Sequence, residues 1–188
     1  MSGMLRTFIG FKIKPSSQFL QSMANLKEEL CEEPLNWTEP DKLHLTLKFI
    51  GNTLPGQLQA IDYELNRIAE NFPGFSFQLE GLGFFKDKGT PRVLFVKIKS
   101  SITLKLLASE IEEQLKKLGF EPENRPFNAH LTLARIKFLK SKPRFYETIE
   151  KFQNSFSQPV AVSEFIFYQS VLSPSGSQYT SLGNYRLL

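Results

Sequence analysis

The chain contains two histidines, and each opens the same four-residue word, HLTL. The first stands in "PDKLHLTLKFIGN", which begins at Pro40, and the second in "NAHLTLARIKF", which begins at Asn128. This repeat restricts the fold. Polar and apolar residues alternate through each word, the pattern of a strand with one face against a core. In the first copy Leu43, Leu45, Leu47 and Phe49 take one side, and His44, Thr46 and Lys48 take the other. In the second, Leu131 and Leu133 point inward while His130 and Thr132 share the outer side. Residues two apart on one face of a strand lie roughly 7 Å from each other, so an imidazole and a hydroxyl reach one small group between them. A duplicated chain with rough two-fold symmetry brings the two rows to face each other across a cleft.

The surrounding pattern supports two similar halves. "LRTFIGFKI" reads as a strand, and Pro15 with Ser16 and Ser17 introduces a helix carrying Phe19, Met23, Leu26 and Leu30 on one side. Extended chain through "LNWTEPDKLHLTLKFIG" precedes a second helix, with Leu58, Ile61, Leu65, Ile68 and Phe72 aligned. "FSFQLEGLGFF" and "RVLFVKIK" are strands around the turn-rich "KDKGTP". A helix over about 101–118 then stops at Gly119, and a shorter one lies near 145–149. "AVSEFIFYQSVLS" and "YTSLGNYRLL" close the chain as a hairpin across "PSGSQ". Helices alternate with strands, but paired strands argue against a purely parallel sheet, so the class is α+β. Residues 1–188 are expected to form a single domain of two pseudo-symmetric lobes, with the words at 44–47 and 130–133.

Bulk properties exclude several classes. Apolar residues make up 41% and the chain has 18 phenylalanines, ample for a packed interior. A net charge of +4 tilts only modestly toward an anionic partner. Cys31 is the lone cysteine, flanked by acidic residues that disfavour a thiolate, so it is read as structural. No signal-peptide pattern or membrane-length apolar run is visible, and a cytoplasmic, monomeric protein without membrane association or an obligate protein partner is expected. A zinc site has too few good ligands in His44, His130 and Cys31, and neither a Walker loop nor a dinucleotide fingerprint occurs; no cofactor is expected.

The chemistry that suits two histidines across a cleft is metal-free phosphodiester cleavage. Displacement at phosphorus needs a base on the attacking side and an acid on the leaving side, and imidazole serves as either near neutrality. Thr46 and Thr132 are placed to donate to nonbridging oxygens. Lys48, Arg92, Arg125 and Arg135 can add positive potential. Strict alternation sends Arg135 to the face opposite His130, so its participation requires a bend or a strand end. Phe84, Phe85, Phe127, Phe138, Phe167, Tyr168 and Trp37 include candidates for base stacking, Phe127 first among them because it adjoins the second word. Candidate substrate contacts are thus Lys48, Arg92, Arg125 and Phe127.

These words and their flanks ("FIGFKI", "WTEPDKLHLTLKFIG", "LEGLGFFKDKGTPRVLFVKI", "ENRPFNAHLTLARI" and "VLSPSGSQYTSLGNYRLL") resemble the two-histidine phosphoesterase superfamily. The resemblance is to its bacterial and archaeal RNA 2′,3′-cyclic phosphodiesterases, historically called 2′-5′ RNA ligases, and it spans the whole chain. It implies a bilobal, duplicated fold, with two antiparallel-rich sheets and flanking helices around a central cleft. It implies hydrolysis of an RNA-terminal 2′,3′-cyclic phosphate to a 2′-phosphomonoester, with His44 as proton donor and His130 as proton acceptor. Thr46 and Thr132 would hold the phosphate, with Arg135 as the arginine that follows the second motif in the family. The residues alone leave donor and acceptor interchangeable. Three positions depart from the family pattern: Ala129 where proline is common, Phe95 where tryptophan is frequent, and Gln169 where glutamate often stands. The implied partners are RNA ends or small nucleotide phosphodiesters. Rival readings are cleavage of small cyclic nucleotides or of ADP-ribose cyclic phosphate, secondary ATP-independent 2′-5′ ligation, and a noncatalytic RNA- or nucleotide-binding module.

Overall fold

The structure, a computed structural model, describes residues 3–99, 101–173 and 176–188. Its elements follow in the order β1 (Leu5–Lys12), α1 (Ser17–Glu29), β2 (Leu35–Trp37), β3 (His44–Thr53), α2 (Leu58–Ala69), β4 (Phe75–Asp87), β5 (Thr90–Lys99), α3 (Ile102–Lys117), β6 (His130–Ile136), α4 (Lys142–Lys151), β7 (Ser157–Val162), β8 (Glu164–Ser173) and β9 (Gly176–Arg186). Serine side chains cap three of the helices. Ser16, Ser101 and Ser141 accept from the backbone N–H groups of Phe19, Leu104 and Arg144, satisfying donors that the first turn leaves free. Gly119, at φ +88, follows the last turn of α3, as its place in the sequence predicts.

The strands form two antiparallel sheets, ordered β3-β1-β8-β9 and β2-β6-β5-β4-β7. The fold is therefore α+β and bilobal, with one HLTL strand in each sheet. Four strands of the second sheet, β6-β5-β4-β7, correspond in order to β3-β1-β8-β9, and β2 is an addition at its edge. In each lobe, the HLTL strand lies beside the strand that begins its half, β1 or β5, and the same register repeats. Lys12 and Gly10 oppose His44 and Thr46 in one lobe; Lys97 and Phe95 oppose His130 and Thr132 in the other.

Two stretches, one read as extended chain and one as a strand, are divided. "LNWTEPDKLHLTLKFIG" breaks at a 3-10 turn over Pro40–Lys42, so that β2 joins the second sheet and β3 the first. "AVSEFIFYQSVLS" divides at Ser163 between β7 of the second sheet and β8 of the first. Both breaks are places where the chain changes lobes, a long-range event that local alternation does not record. The terminal hairpin is present, although Pro174 and Ser175 of its predicted turn lie outside the described residues.

Ile9, Phe11, Leu45 and Leu47 of the first sheet share one buried cluster with Leu94, Val96, Leu131 and Leu133 of the second and with the apolar faces of all four helices. Burying such side chains contributes about 1.5–3 kcal/mol each before entropy is counted. A small separate cluster of Phe8, Ile166 and Tyr168 covers the other face of the first sheet, with Tyr179 packed on it. That face carries the first histidine.

Candidate active site

A β-bulge in each HLTL strand organises the site. In the first lobe Ile9 pairs with Lys48 but Gly10 pairs with Thr46, so Leu47 is the extra residue. In the second, Leu94 pairs with Ala134 and Phe95 with Thr132, so Leu133 is extra. An unpaired residue resets the alternation of everything beyond it. Consecutive buried residues therefore appear, Leu47–Lys48 and Leu133–Ala134, and the next side chain returns to the face of the histidine. In the second lobe that side chain is Arg135, which strict alternation had placed on the far side. The bend it needed is this bulge.

The same reset removes Lys48 from the row of His44 and Thr46, where alternation had put it. Its register partner Ile9 belongs to the main core, and Lys48 is only 4% exposed. Its Nζ donates to Glu112 Oε1 of α3 at 2.7 Å and to the Glu121 carbonyl at 3.2 Å. Lys48 is a structural ion pair at the margin of the cleft. Phe49 takes the position equivalent to Arg135 and is 56% exposed.

Each imidazole is oriented by the backbone two residues before it. His44 Nδ1 donates to the Lys42 carbonyl at 2.7 Å, and His130 Nδ1 donates to the Asn128 carbonyl at 2.8 Å. A carbonyl only accepts, so Nδ1 carries the proton in both rings. When neutral, each ring keeps its bare nitrogen at Nε2; when charged, Nε2 carries the transferable proton. Aromatic walls hold the rings in place. Phe8 and Tyr179 lie 5.0 and 4.9 Å from His44, and Phe85 and Phe95 lie 4.9 and 5.3 Å from His130. Gly83 makes the second wall fit, since a Cβ there would sit 2.6 Å from the Phe95 ring.

Burial is the main reason both histidines titrate below the ordinary range, partly offset by the carbonyl each ring donates to. Positive charge adds to this: His130 and Arg135 lower His44, and Arg135 lowers His130. The charges of His130 and Arg135 thus reach His44 from the other sheet. Burial also pushes the Tyr168 hydroxyl up to about 12, so the aromatic floor under His44 stays neutral.

A cleft of about 1040 Å³ opens beside this centre, lined by Thr46, Phe49, Phe85 and His130 and by Arg125, Phe127 and Asn128 ahead of β6. Arg125 and Phe127, two of the candidate substrate contacts, thus line this cleft. Arg92 does not. Its neighbour Val93 pairs with Arg135, so Arg92 projects from the other face and donates to the Lys137 carbonyl. Among the described residues no group of three or more His, Cys, Asp or Glu side chains is arranged to hold a metal ion.

With two symmetric histidine strands in place, comparison with known proteins becomes informative. The profile of the family described as LigT like Phosphoesterase matches this chain twice, over residues 13–95 and 96–179. The chain belongs to that family. Each match holds one HLTL word, so the repeat inside the LigT-like fold is the repeat first visible in the histidines. An RNA 2′,3′-cyclic phosphodiesterase of Archaeoglobus fulgidus is 32% identical over 91% of this chain and 89% of its own length. One from Thermotoga maritima is 31% identical over 95% and 93%. The crystal structure of E. coli LigT complexed with 3′-AMP is 25% identical and superposes with a TM-score of 0.75, covering 98% of each chain.

Sequence reasoning passed over several parts of this LigT-like site. Phe8, Tyr179 and Phe95 wall the imidazoles from other strands, and nothing near the HLTL words announces them. The bulge did leave a trace. "TLARI" places two small or apolar residues together and then resumes alternation, the mark of one residue added to a strand.

Proposed function

We propose that this chain hydrolyses RNA-terminal 2′,3′-cyclic phosphates to 2′-phosphomonoesters by paired histidine acid–base catalysis without a metal ion, the whole chain acting as one bilobal catalytic domain. One observation carries the reading: two imidazoles, one on each sheet, each fixed through Nδ1 to a backbone carbonyl and so left with Nε2 for proton transfer. The neighbouring LigT-like relatives support the substrate class.

His130 Nε2 takes a proton from water as its oxygen attacks phosphorus. The bond from phosphorus to the 3′ oxygen breaks, and His44 Nε2 gives its proton to that oxygen. The total charge of the pair is unchanged by the step, and the starting state returns when His130 releases its new proton to solvent and His44 takes one up. Thr46 and Thr132 donate to the nonbridging oxygens, and Arg135 offsets the charge that builds there. Arg135 lies on the strand of His130 and favours its neutral form, which suits the base. The bound phosphodiester anion acts in the opposite direction on both rings, raising their pKa values and allowing His44 to hold its proton until the leaving oxygen needs it. Replacing water by an RNA hydroxyl gives ATP-independent 2′-5′ joining from the same centre as a secondary activity.

The test is a short RNA ending in a 2′,3′-cyclic phosphate, incubated in EDTA with wild type, His44→Ala and His130→Ala, with the product's phosphate position read by phosphorus NMR. A 2′-monophosphate from wild type alone is expected. A 3′-monophosphate would exchange the leaving group, and a strict requirement for a divalent ion would end the metal-free mechanism.

A further inference from the structure

The cleft is much larger than the phosphate group the two histidines handle, and it is lopsided. On the flank of His44, the rings of Phe8, Tyr168 and Tyr179 pack against one another and the imidazole. On the flank of His130 the space is open, and Thr46 and Phe49 of β3, Lys105 and Ser109 of α3, and Arg125 and Phe127 before β6 line it.

We propose that this groove between β3, α3 and the segment before β6 is a strand-tracking subsite, holding the nucleotides on the 5′ side of the terminal phosphate of a single-stranded RNA. The inference rests on the reading that the histidines act on an RNA end. A volume of about 1040 Å³ reaches the upper end of what one drug-sized ligand fills, roughly 300–1,000 Å³, so the groove has room beyond a terminal nucleoside. Its chemistry suits a polyanion with flat bases. Phe49 is more than half exposed and Phe127 is half-buried against the core, so two rings offer faces for stacking. Lys48, Lys105 and Arg125 stand against Glu112 and Glu123, three cations to two carboxylates, and Lys48 is already committed to Glu112. That leaves Lys105 of α3 and Arg125 of the segment before β6 as the cations for the backbone, with Glu123 the one carboxylate remaining against them. Aromatic faces combined with cations that follow the backbone give sequence-tolerant binding of single strands.

The test uses RNAs that need no turnover. Calorimetry compares adenosine 3′-monophosphate with short oligoadenylates ending in a 3′-phosphate, for wild type, Lys105→Glu and Phe127→Ala, with thermal melts as a folding control. Wild type is expected to bind the oligomer at least about tenfold more tightly than the mononucleotide. Each variant should lose most of that ratio, and Lys105→Glu should flatten the salt dependence by about one phosphate contact. Lys105 is a surface position, so its result stands even if the Phe127 variant fails to fold. Equal affinity for mononucleotide and oligomer in wild type would overturn the subsite, as would variants that weaken both ligands alike. Binding that grows with length in a protein that does not hydrolyse cyclic ends would keep the subsite and remove the proposed reaction; the converse result would do the reverse.

Discussion

The two lobes perform the same local construction with different neighbours. Each has an HLTL strand, a bulge after its threonine, an Nδ1–carbonyl bond two residues back and a pair of rings against the imidazole. Beyond the bulge they part. Lys48 and Phe49 in the first lobe correspond to Ala134 and Arg135 in the second. β3 is an edge strand whose buried lysine pairs with α3 of the other half, whereas β6 is flanked on both sides and holds alanine at that point. Symmetry is kept at the two rings proposed as acid and base. It is lost further along the strand, where an exposed phenylalanine stands in one lobe and an exposed arginine in the other.

The symmetric part makes the largest prediction. His44→Ala and His130→Ala should each reduce kcat on a cyclic-phosphate substrate by about 10²–10⁴-fold, with unchanged melting behaviour. The double variant should be little worse than either single one, because a unit that has lost one member gains nothing from the other. A single variant with near-normal turnover would break the equivalence of the lobes.

The asymmetric pair sharpens the comparison. Arg135→Ala removes the guanidinium proposed to offset developing charge and should lower kcat/KM by on the order of 10²-fold. Phe49→Ala, the same position in the other lobe, removes no donor and should cost far less on a mononucleotide. Comparable losses at the two positions would mean that the bulges place these side chains for some purpose other than charge.

The buried ion pair tests the lobe connection through stability. Glu112 accepts from both Lys48 and the Glu123 backbone N–H, and so ties the first HLTL strand to the lead-in of the second. Glu112→Gln leaves an ammonium almost without solvent and should cost about 2–3 kcal/mol. Lys48→Met leaves a carboxylate that is 29% exposed and can hydrate, so it should cost less, about 1 kcal/mol. Thermal or denaturant unfolding checks the order; the reverse order would place the burden on the carboxylate.

The sequence makes the elements with strong local signals plain. Helices announced by serine caps and apolar periodicity lie where expected, and each HLTL word forms a strand, with Thr46 and His130 lining the cleft. The strand that splits at Ser163 and the one that breaks at Pro40–Lys42 were hidden, because a change of sheet is decided by distant partners. Lys48 and Arg135 exchanged places for a related reason. One extra residue inverts every side chain after it, and a lysine in an alternating run looks solvated until an opposing glutamate is known. The walls Phe8, Tyr179 and Phe95 are three among many aromatic residues, and only the fold selects them.

The pH dependence is the subtlest consequence of holding two imidazoles near one arginine. The free enzyme is productive when one ring is charged and the other neutral, so kcat/KM should rise and then fall with pH. Burial and positive neighbours lower both rings from the ordinary value of about 6.5, which places the maximum below that value. The two limbs belong to the pair rather than to either residue. Arg135→Gln removes a charge that lowers both rings, so its profile should move toward higher pH even as its height falls. Stability runs with its own sign. The unfolded chain takes up protons at about 6.5 while the folded chain still resists, so stability is present above that pH and declines as pH falls through the folded values. Rates must therefore be taken where melts show the protein folded. A wild-type maximum well above pH 6.5, or an Arg135→Gln profile that loses height without moving, would show that Arg135 holds the phosphate without tuning the histidines, and would leave the two lobes electrostatically alike.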